Sequence, residues 1–193
     1  MAFQELPPFA AWRHRDAREG FEVVFLHSGP DGHRLEGHTA AVEDGQAWSV
    51  QYTIVVDANW VTKTALLASQ SAGGRRELAL AADSAGAWRI DGAPAPELDG
   101  CLDVDLESSS FTNALPVHRL GLEIGQHAEA PAVYVRALDL SVERLEQRYA
   151  RTDDDGTREC YDYAAPRFEY TGRLEYDEHG LILDYPGIAV RAA

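Results

Sequence analysis

Two aspartates, Asp103 and Asp105, stand two residues apart near the start of the stretch 101–125, where the strand-like alternation of the rest of the chain stops. On a strand both carboxylates point to the same face, about 7 Å apart. Carboxylates so close together can have their pKa values driven apart, as acid–base hydrolysis of a glycosidic bond requires. The alternative is structural: because buried carboxylates are usually paired, they pair with Arg119 or cap the turn into the following serines. Both interpretations stay open.

Two polar residues, Thr112 and Asn113, follow shortly before Pro116. Side chains of this type next to a proline satisfy stray backbone hydrogen bonds where the chain changes direction. Alternatively, the Asn113 amide binds the hydroxyl groups of a sugar, since an amide both donates and accepts hydrogen bonds.

Tryptophan is frequent for a chain of this length. Indole rings pack protein cores, and their faces also contact sugar rings and acyl chains. Trp60 is the one we expect to face a ligand, because the polar residues Asn59 and Thr62 flank it. The other three tryptophans are Trp12, Trp48 and Trp88.

Other kinds of chemistry have no signal in the sequence. The seven histidines and two cysteines show no metal-ligand spacing. The run at 153–156 lacks the spaced ligands of a calcium loop and predicts a solvated turn. There is no glycine-rich phosphate loop and no G-x-S-x-G element. We assign no catalytic residue, metal or cofactor.

Composition narrows the range of partners. The 193 residues suit one domain, over residues 1–193. The net charge of −15 repels phosphate backbones and anionic membrane surfaces, so we expect no nucleic acid partner. Neither a signal peptide nor an apolar run near the ~20 residues of a membrane helix is visible. Cys101 and Cys160 are too few for a disulfide framework. These features predict a cytoplasmic protein without membrane insertion.

The elements that position these residues are mostly strands. Trp48, Val50, Tyr52 and Ile54 share one face, for example, and turn signals recur roughly every 8–12 residues. A mainly β chain of a dozen or more strands must curl, because sheets twist and open edges aggregate.

The stretch at 109–120 does not alternate, so we expect it to form a single short helix inside the curled sheet. A serine from 108–110 would cap this helix. Pro116 either starts the helix or kinks it.

Several stretches in one order resemble the bacterial family described as putative glycolipid-binding. The resemblance implies a spiral β-roll, in which one long antiparallel sheet winds about a single helix, and it implies a binding role. Members tend to carry two adjacent basic residues after the proline motif, where this chain has His118 and Arg119, so the first positive charge would depend on pH. The matching pieces are Gly37 with Trp48 and 52–54, then 57–62, 88–92, 98–106, 111–116, 147–149 and 183–187.

We weigh three functions. The first is a non-catalytic carrier or sensor of an amphipathic lipid, in particular a glycolipid. Its apolar part would lie along the inner face of the roll, beside 111–120, and its sugar at a rim. The second is a structural or interaction protein with a filled interior. The third is a glycoconjugate hydrolase that uses the two aspartates. The ligand-binding candidates are Trp60, Asp103, Asp105, Asn113 and Arg119; the oligomeric state stays open.

Overall fold

The computed structural model describes residues 3–16, 18–154 and 158–193. In this part of the chain there are strands, three short 3-10 turns (Pro96–Leu98, Phe111–Asn113, Pro166–Phe168) and one α-helix, α1 (Ala114–Leu120). The strands are β1 (Phe9–His14), β2 (Glu19–Gly29), β3 (Gly32–Glu43), β4 (Gln46–Asp57), β5 (Thr62–Ser71), β6 (Gly74–Ala82), β7 (Trp88–Ile90), β8 (Ala93–Pro94), β9 (Asp103–Leu106), β10 (His127–Glu129), β11 (Ala132–Val135), β12 (Val142–Leu145), β13 (Arg148–Arg151), β14 (Glu159–Ala165), β15 (Tyr170–Tyr176), β16 (Ile182–Tyr185) and β17 (Ala189–Arg191).

Fourteen of the strands form one antiparallel sheet, in the order β10-β13-β14-β15-β16-β17-β1-β2-β3-β4-β5-β6-β7-β8. The last strand, β17, pairs with the first, β1, so the two halves of the chain join in the middle of the sheet. The predicted mainly β fold, with one long antiparallel sheet and a single short helix, is confirmed. A second sheet, β12-β11-β9, was not foreseen, and its β9–β11 pair is parallel.

The alternating pattern decides which face each strand buries. On β4 the side chains of Trp48, Val50, Tyr52 and Ile54 are all buried, as their spacing predicts. One cluster of buried apolar residues includes residues of both sheets and of α1. The expectation of a single domain stays a prediction.

The helical segment lies inside the curled sheet. Its backbone enters through the Phe111–Asn113 turn and continues into α1, where Pro116 occupies the first turn and needs no amide hydrogen. The predicted serine cap of the helix is wrong: the residue before α1 is Asn113, and it makes no side-chain capping bond. Ser109 Oγ instead accepts from the Thr112 amide of the 3-10 turn at 3.3 Å. Gly121 ends the helix with a φ of 53°.

Strands that are distant in sequence bond this segment from several sides. Glu22 on β2 accepts from the Ser110 amide at 2.7 Å. Tyr149 on β13 donates to Asn113 Oδ1 at 2.8 Å, and Tyr176 on β15 donates to the Asn113 carbonyl oxygen at 3.2 Å. The sheet therefore surrounds the segment and orients it by specific hydrogen bonds.

A glycine makes room for one of the inward-facing rings. Gly37 pairs with Tyr52 across β3 and β4, and a Cβ at Gly37 would lie 2.0 Å from the tyrosine ring. An alanine Cβ has no freedom to move away, so a contact that short is relieved only if Tyr52 itself moves within the buried sheet.

We therefore expect Gly37→Ala to lower the free energy of unfolding by about 3 kcal/mol, the upper part of the range for overpacked cores. Urea denaturation measures it. Gly29→Ala is the matched control, because there the nearest atom to a new Cβ is 3.7 Å away. Equal stability of the two variants would contradict the close contact.

Candidate functional site

A cavity of about 970 Å³ lies where the β2–β3 and β4–β5 connections meet the C-terminal end of α1, and we call it the end cavity. Apolar and polar side chains share its wall. The lining residues are Phe3, Gln4, Glu5, Leu6, Ser28, His33, Trp60, His118, Gly121, Leu122, Glu123, Arg151, Glu159 and Tyr161.

The turn between β4 and β5 holds Trp60 against this cavity in an unusual conformation. Trp60 has a φ of 64°, in the left-handed region that bulky residues rarely adopt. Asp57 Oδ1 accepts from the amides of Asn59 and Val61, at 2.9 and 3.0 Å, and these bonds fix the turn. Backbone strain of this kind persists where surrounding contacts enforce it, and it concentrates at functional sites.

Both faces of the Trp60 indole are covered. The His118 ring is stacked on it at 3.7 Å between centroids and 12° between planes. The His33 ring lies at 4.5 Å and 30°. Two rings so close and so nearly parallel cannot share one face, so each covers its own. The indole therefore lines the cavity by its edge and offers no open face for a sugar ring.

His118 is partly buried, and its Nε2 lies away from solvent. Burial is the main cause that lowers the pKa of His118 to about 3. The ring is then neutral at physiological pH, which contradicts the expectation of a pH-dependent positive charge there. Its role is to support Trp60 and Phe3, whose ring lies 4.6 Å away.

The lining of the end cavity also includes a buried charged group. The Arg151 side chain is 6% exposed and pairs with Glu159 and with Asp154, the latter at 2.6 Å. Its guanidinium also lies 5.2 Å from the centre of the Tyr161 ring. The predicted acidic turn at 153–156 contributes Asp154 to this group, and its residues 155 and 156 lie outside the described part of the chain.

The N-terminal residues close one side of the cavity. The Gln4 amide donates to the Glu178 carbonyl oxygen at 2.8 Å, and His179 Nδ1 lies 2.6 Å from the Glu5 carbonyl oxygen. Phe3 and Leu6 are partly buried against the core. The arm therefore adds both apolar side chains, Phe3 and Leu6, and polar ones, Gln4 and Glu5, to the lining of the cavity.

Asp103 pairs with Arg119, as one of the two sequence interpretations expects. Arg119 Nη2 lies 2.6 Å from Asp103 Oδ2, and its Nε lies 3.0 Å from Oδ1. The aspartate side chain is 1% exposed and the arginine side chain 13%. Burial raises the pKa of Asp103, and the arginine opposes that rise. This ion pair ties β9 to the last turn of α1.

Asp105 points into a different set of groups. Its Oδ1 accepts from the Thr112 hydroxyl at 3.0 Å, and its Oδ2 accepts from the Gln147 amide. Burial is the main cause that raises the pKa of Asp105 to about 6. Asp105 and Asn113 both line a smaller pocket of about 240 Å³, which we call the tyrosine pocket after Tyr134, Tyr163, Tyr170 and Tyr185 in its wall.

The raised pKa of Asp105 has a consequence for stability. Its folded-state value of about 6 lies above the ordinary 3.8, so the folded protein retains a proton that the unfolded chain releases between those values. The stabilising contribution is complete below about pH 4 and is lost as pH rises through 6. We expect the free energy of unfolding to fall by roughly 2–3 kcal/mol, relative to Asp105→Asn, between about pH 4 and pH 7. Urea titrations at several pH values measure it, and a difference independent of pH would contradict the assignment.

The sequence-predicted residues thus divide among three places. Trp60 lines the end cavity, Asp105 and Asn113 line the tyrosine pocket, and Asp103 and Arg119 bind each other. The five do not form one rim.

Sequence reasoning missed Glu22, which is 0% exposed. Tyr52 donates to Glu22 Oε1 at 2.7 Å, and Ser109 also donates to that oxygen. The sequence does indicate that Glu22 is buried, because Glu22 shares the inward face of β2 with Val24 and Leu26.

The space beside the helical segment is filled. Phe111, Ala114, Leu115 and Val117 are each 0% exposed. An acyl chain along the inner face of the roll would have to displace them. The larger opening is the end cavity.

In residues 3–16, 18–154 and 158–193, no cluster of three or more His, Cys, Asp or Glu side chains is arranged to hold a metal ion. No helix in the same ranges has the length and apolar character to cross a membrane.

The long antiparallel sheet, curled about one short buried helix, defines a rolled, mainly β protein. Residues 9–191 match the family described as putative glycolipid-binding, and the chain belongs to that family. No curated protein matches the chain.

Two solved structures are similar. One is the crystal structure of a DUF1089 family protein from Pseudomonas aeruginosa, with 32% sequence identity, a TM-score of 0.72 and 97% of each chain covered. The other is a beta-barrel-like protein of the domain of unknown function DUF1849 from Brucella abortus, with 12% identity and a TM-score of 0.50 over 98% of this chain and 96% of that one. The second similarity shows the fold alone.

Proposed function

We propose that the protein is a non-catalytic carrier or sensor that binds a glycolipid, or a related amphipathic lipid, in the end cavity. The observation that carries the proposal is the cavity itself. Its volume of about 970 Å³ falls within the range of ligand sites, and both apolar and charged side chains line it. The description of the family agrees with this class of ligand.

The apolar lining residues account for the affinity for lipid. They are Phe3, Leu6, Leu122 and the edge of Trp60. Each acyl methylene that leaves water against such a wall contributes about 0.8 kcal/mol, so a short stretch of chain supplies most of the binding free energy.

The polar lining residues account for the orientation of the ligand. Arg151 and Glu159 are held by each other, and Tyr161 supports the guanidinium. Pre-formed polar groups that keep their geometry bind hydroxyl groups without an ordering cost. A sugar headgroup therefore faces Arg151 and Glu159, while the acyl part lies against Phe3, Leu6 and Leu122.

The decisive variant is Leu122→Asp, which puts a charge on the apolar wall. We expect lipid binding to weaken at least tenfold, because acyl carbons would then desolvate a carboxylate. The matched control is Leu138→Asp, at a leucine that is 39% exposed and outside the cavity wall. Native mass spectrometry of protein purified from its own host, followed by a lipid array, measures binding for all three proteins.

Wild-type protein that carries no lipid from its host and binds none in the array would refute the proposal. Equal binding by the two aspartate variants would refute the assignment to the end cavity. Thermal melting of both variants shows that loss of binding is not loss of fold.

A second candidate function is that of a structural or interaction protein with a filled core. It is favoured by the complete burial of large side chains inside the roll, among them Trp12, Trp88 and Phe111. The same lipid experiment separates the two, since a filled scaffold binds no lipid. The cytoplasmic location expected from the sequence stays a prediction.

A further inference from the structure

We infer that the tyrosine pocket is a second binding site, separate from the end cavity, for a single hexopyranose ring. The two linings share no residue. The inference does not rest on the proposed function, because the ring is either a free sugar or the headgroup of a glycolipid.

The tyrosine pocket has the size of a single sugar ring. The pocket has a volume of about 240 Å³, below the range for larger ligands, so it admits one small ring and leaves any attached acyl chain outside. It lies between β9, which supplies Asp105, the 3-10 turn before α1, which supplies Asn113, and strands β11 and β14–β16, which supply the four tyrosines.

Aromatic walls are the second argument. The Tyr185 ring stands nearly perpendicular to Tyr163, at 6.1 Å and 83°, and to Tyr170, at 5.7 Å and 70°. The Tyr134 ring lies 5.2 Å from Phe168. Ring faces and edges at several angles suit a saturated ring, whose C–H groups pack on aromatic surfaces while its hydroxyls point elsewhere.

A cationic group in the wall is the third feature. Arg18 lines the pocket, and its side chain is 7% exposed. Its Nη1 donates to the Glu107 carbonyl oxygen at 2.9 Å, which holds the guanidinium in place. Its Nε is fully buried, 3.8 Å from Glu43 Oε2, and does not reach the pocket. The remaining nitrogen, Nη2, is the one that we expect to donate to a ligand oxygen.

Acceptors stand in the same wall. Each Asp105 oxygen accepts one hydrogen bond from the protein, and a carboxylate oxygen has room for another. A sugar hydroxyl donates and accepts at once, so neighbouring hydroxyls satisfy Asp105 and Arg18 together. A neutral ligand also suits the local charge, because Arg136 is already paired with Glu107 at 3.0 Å.

The test is an NMR titration of the full-length protein with methyl β-glucoside, methyl β-galactoside and octyl β-glucoside. We expect at least one to shift the Asn113 side-chain amide and the pocket tyrosines, with a dissociation constant in the millimolar range for the methyl glycosides. Shifts with a methyl glycoside identify a free-sugar site, and shifts with the octyl glycoside alone identify a headgroup site; both support the inference. No pocket shift with any of the three would overturn it, as would equal shifts with cyclohexanol, which has the ring but a single hydroxyl.

Variants locate the site. Tyr170 is only partly buried, so Tyr170→Ala should keep the fold and weaken binding at least tenfold. Phe21→Ala, at a ring that is 46% exposed on β2, is the control and should bind normally. Unchanged binding by Tyr170→Ala overturns the inference. Leu122→Asp should leave methyl glycoside binding intact, which keeps this test distinct from that of the end cavity.

Discussion

Replacing Glu22 with alanine is expected to lower the free energy of unfolding by about 4 kcal/mol, the largest loss we foresee for a single carboxylate in this chain. The side chain is 0% exposed and accepts hydrogen bonds from Tyr52, Ser109 and the Ser110 amide. Each donor left unpaired in the core costs roughly 1–3 kcal/mol, and the vacated volume adds to the loss. Removing the carboxylate also relieves its own desolvation, which keeps the total below the simple sum.

Urea denaturation followed by circular dichroism measures this loss. Glu22→Gln keeps one acceptor oxygen and the side-chain shape, so it should lose clearly less. Glu19→Ala, at an exposed glutamate on the same strand, should behave as the wild type. An alanine variant at Glu22 within about 1 kcal/mol of the wild type would mean that the carboxylate does not hold the helical segment.

The second large effect is expected at the ion pair between β9 and α1. Arg119→Ala should lower the free energy of unfolding by about 3–5 kcal/mol, because it leaves Asp103 buried without its partner. The double variant Asp103→Leu with Arg119→Met should recover most of that loss, since apolar residues of similar volume often replace a buried pair well. Arg75→Ala, in a pair whose side chains are 58% and 70% exposed, is the control and should show no measurable loss.

A double variant as unstable as Arg119→Ala alone would contradict the expected stability of the apolar replacement.

A glycoconjugate hydrolase that uses the two aspartates would give a different result. Asp103→Asn or Asp105→Asn would have to abolish a hydrolytic activity while the fold stays intact. Loss of fold without any such activity favours the structural role.

Local pattern was sufficient for the main features of the fold. The period of two on β4 gave the correct inward face, and the break in alternation after Asp105 located the helical segment within a few residues. Both signals lie in neighbouring residues, so a single sequence carries them. Of the two options that the sequence left open for Pro116, a kink or a position near the start of the helix, the structure shows the second.

The candidate site was harder to foresee because its geometry depends on contacts between distant residues. Trp60 lines the end cavity, yet the rings that cover its faces, His33 and His118, are far apart along the chain. The same holds for Asp105, whose partner Gln147 is 42 residues away. No local pattern indicates such partners. Glu22 is the exception, since its inward position on a strand was visible in the sequence.

The measurement that tests the central claim most directly is paramagnetic relaxation from a glycolipid with a nitroxide on its acyl chain. With assigned methyl groups, the account predicts that Leu6 and Leu122 broaden first, because both line the end cavity, whereas Leu138 stays sharp. Broadening confined to Leu66 on the outer face of the sheet, or no saturable broadening at any concentration below micelle formation, would contradict it.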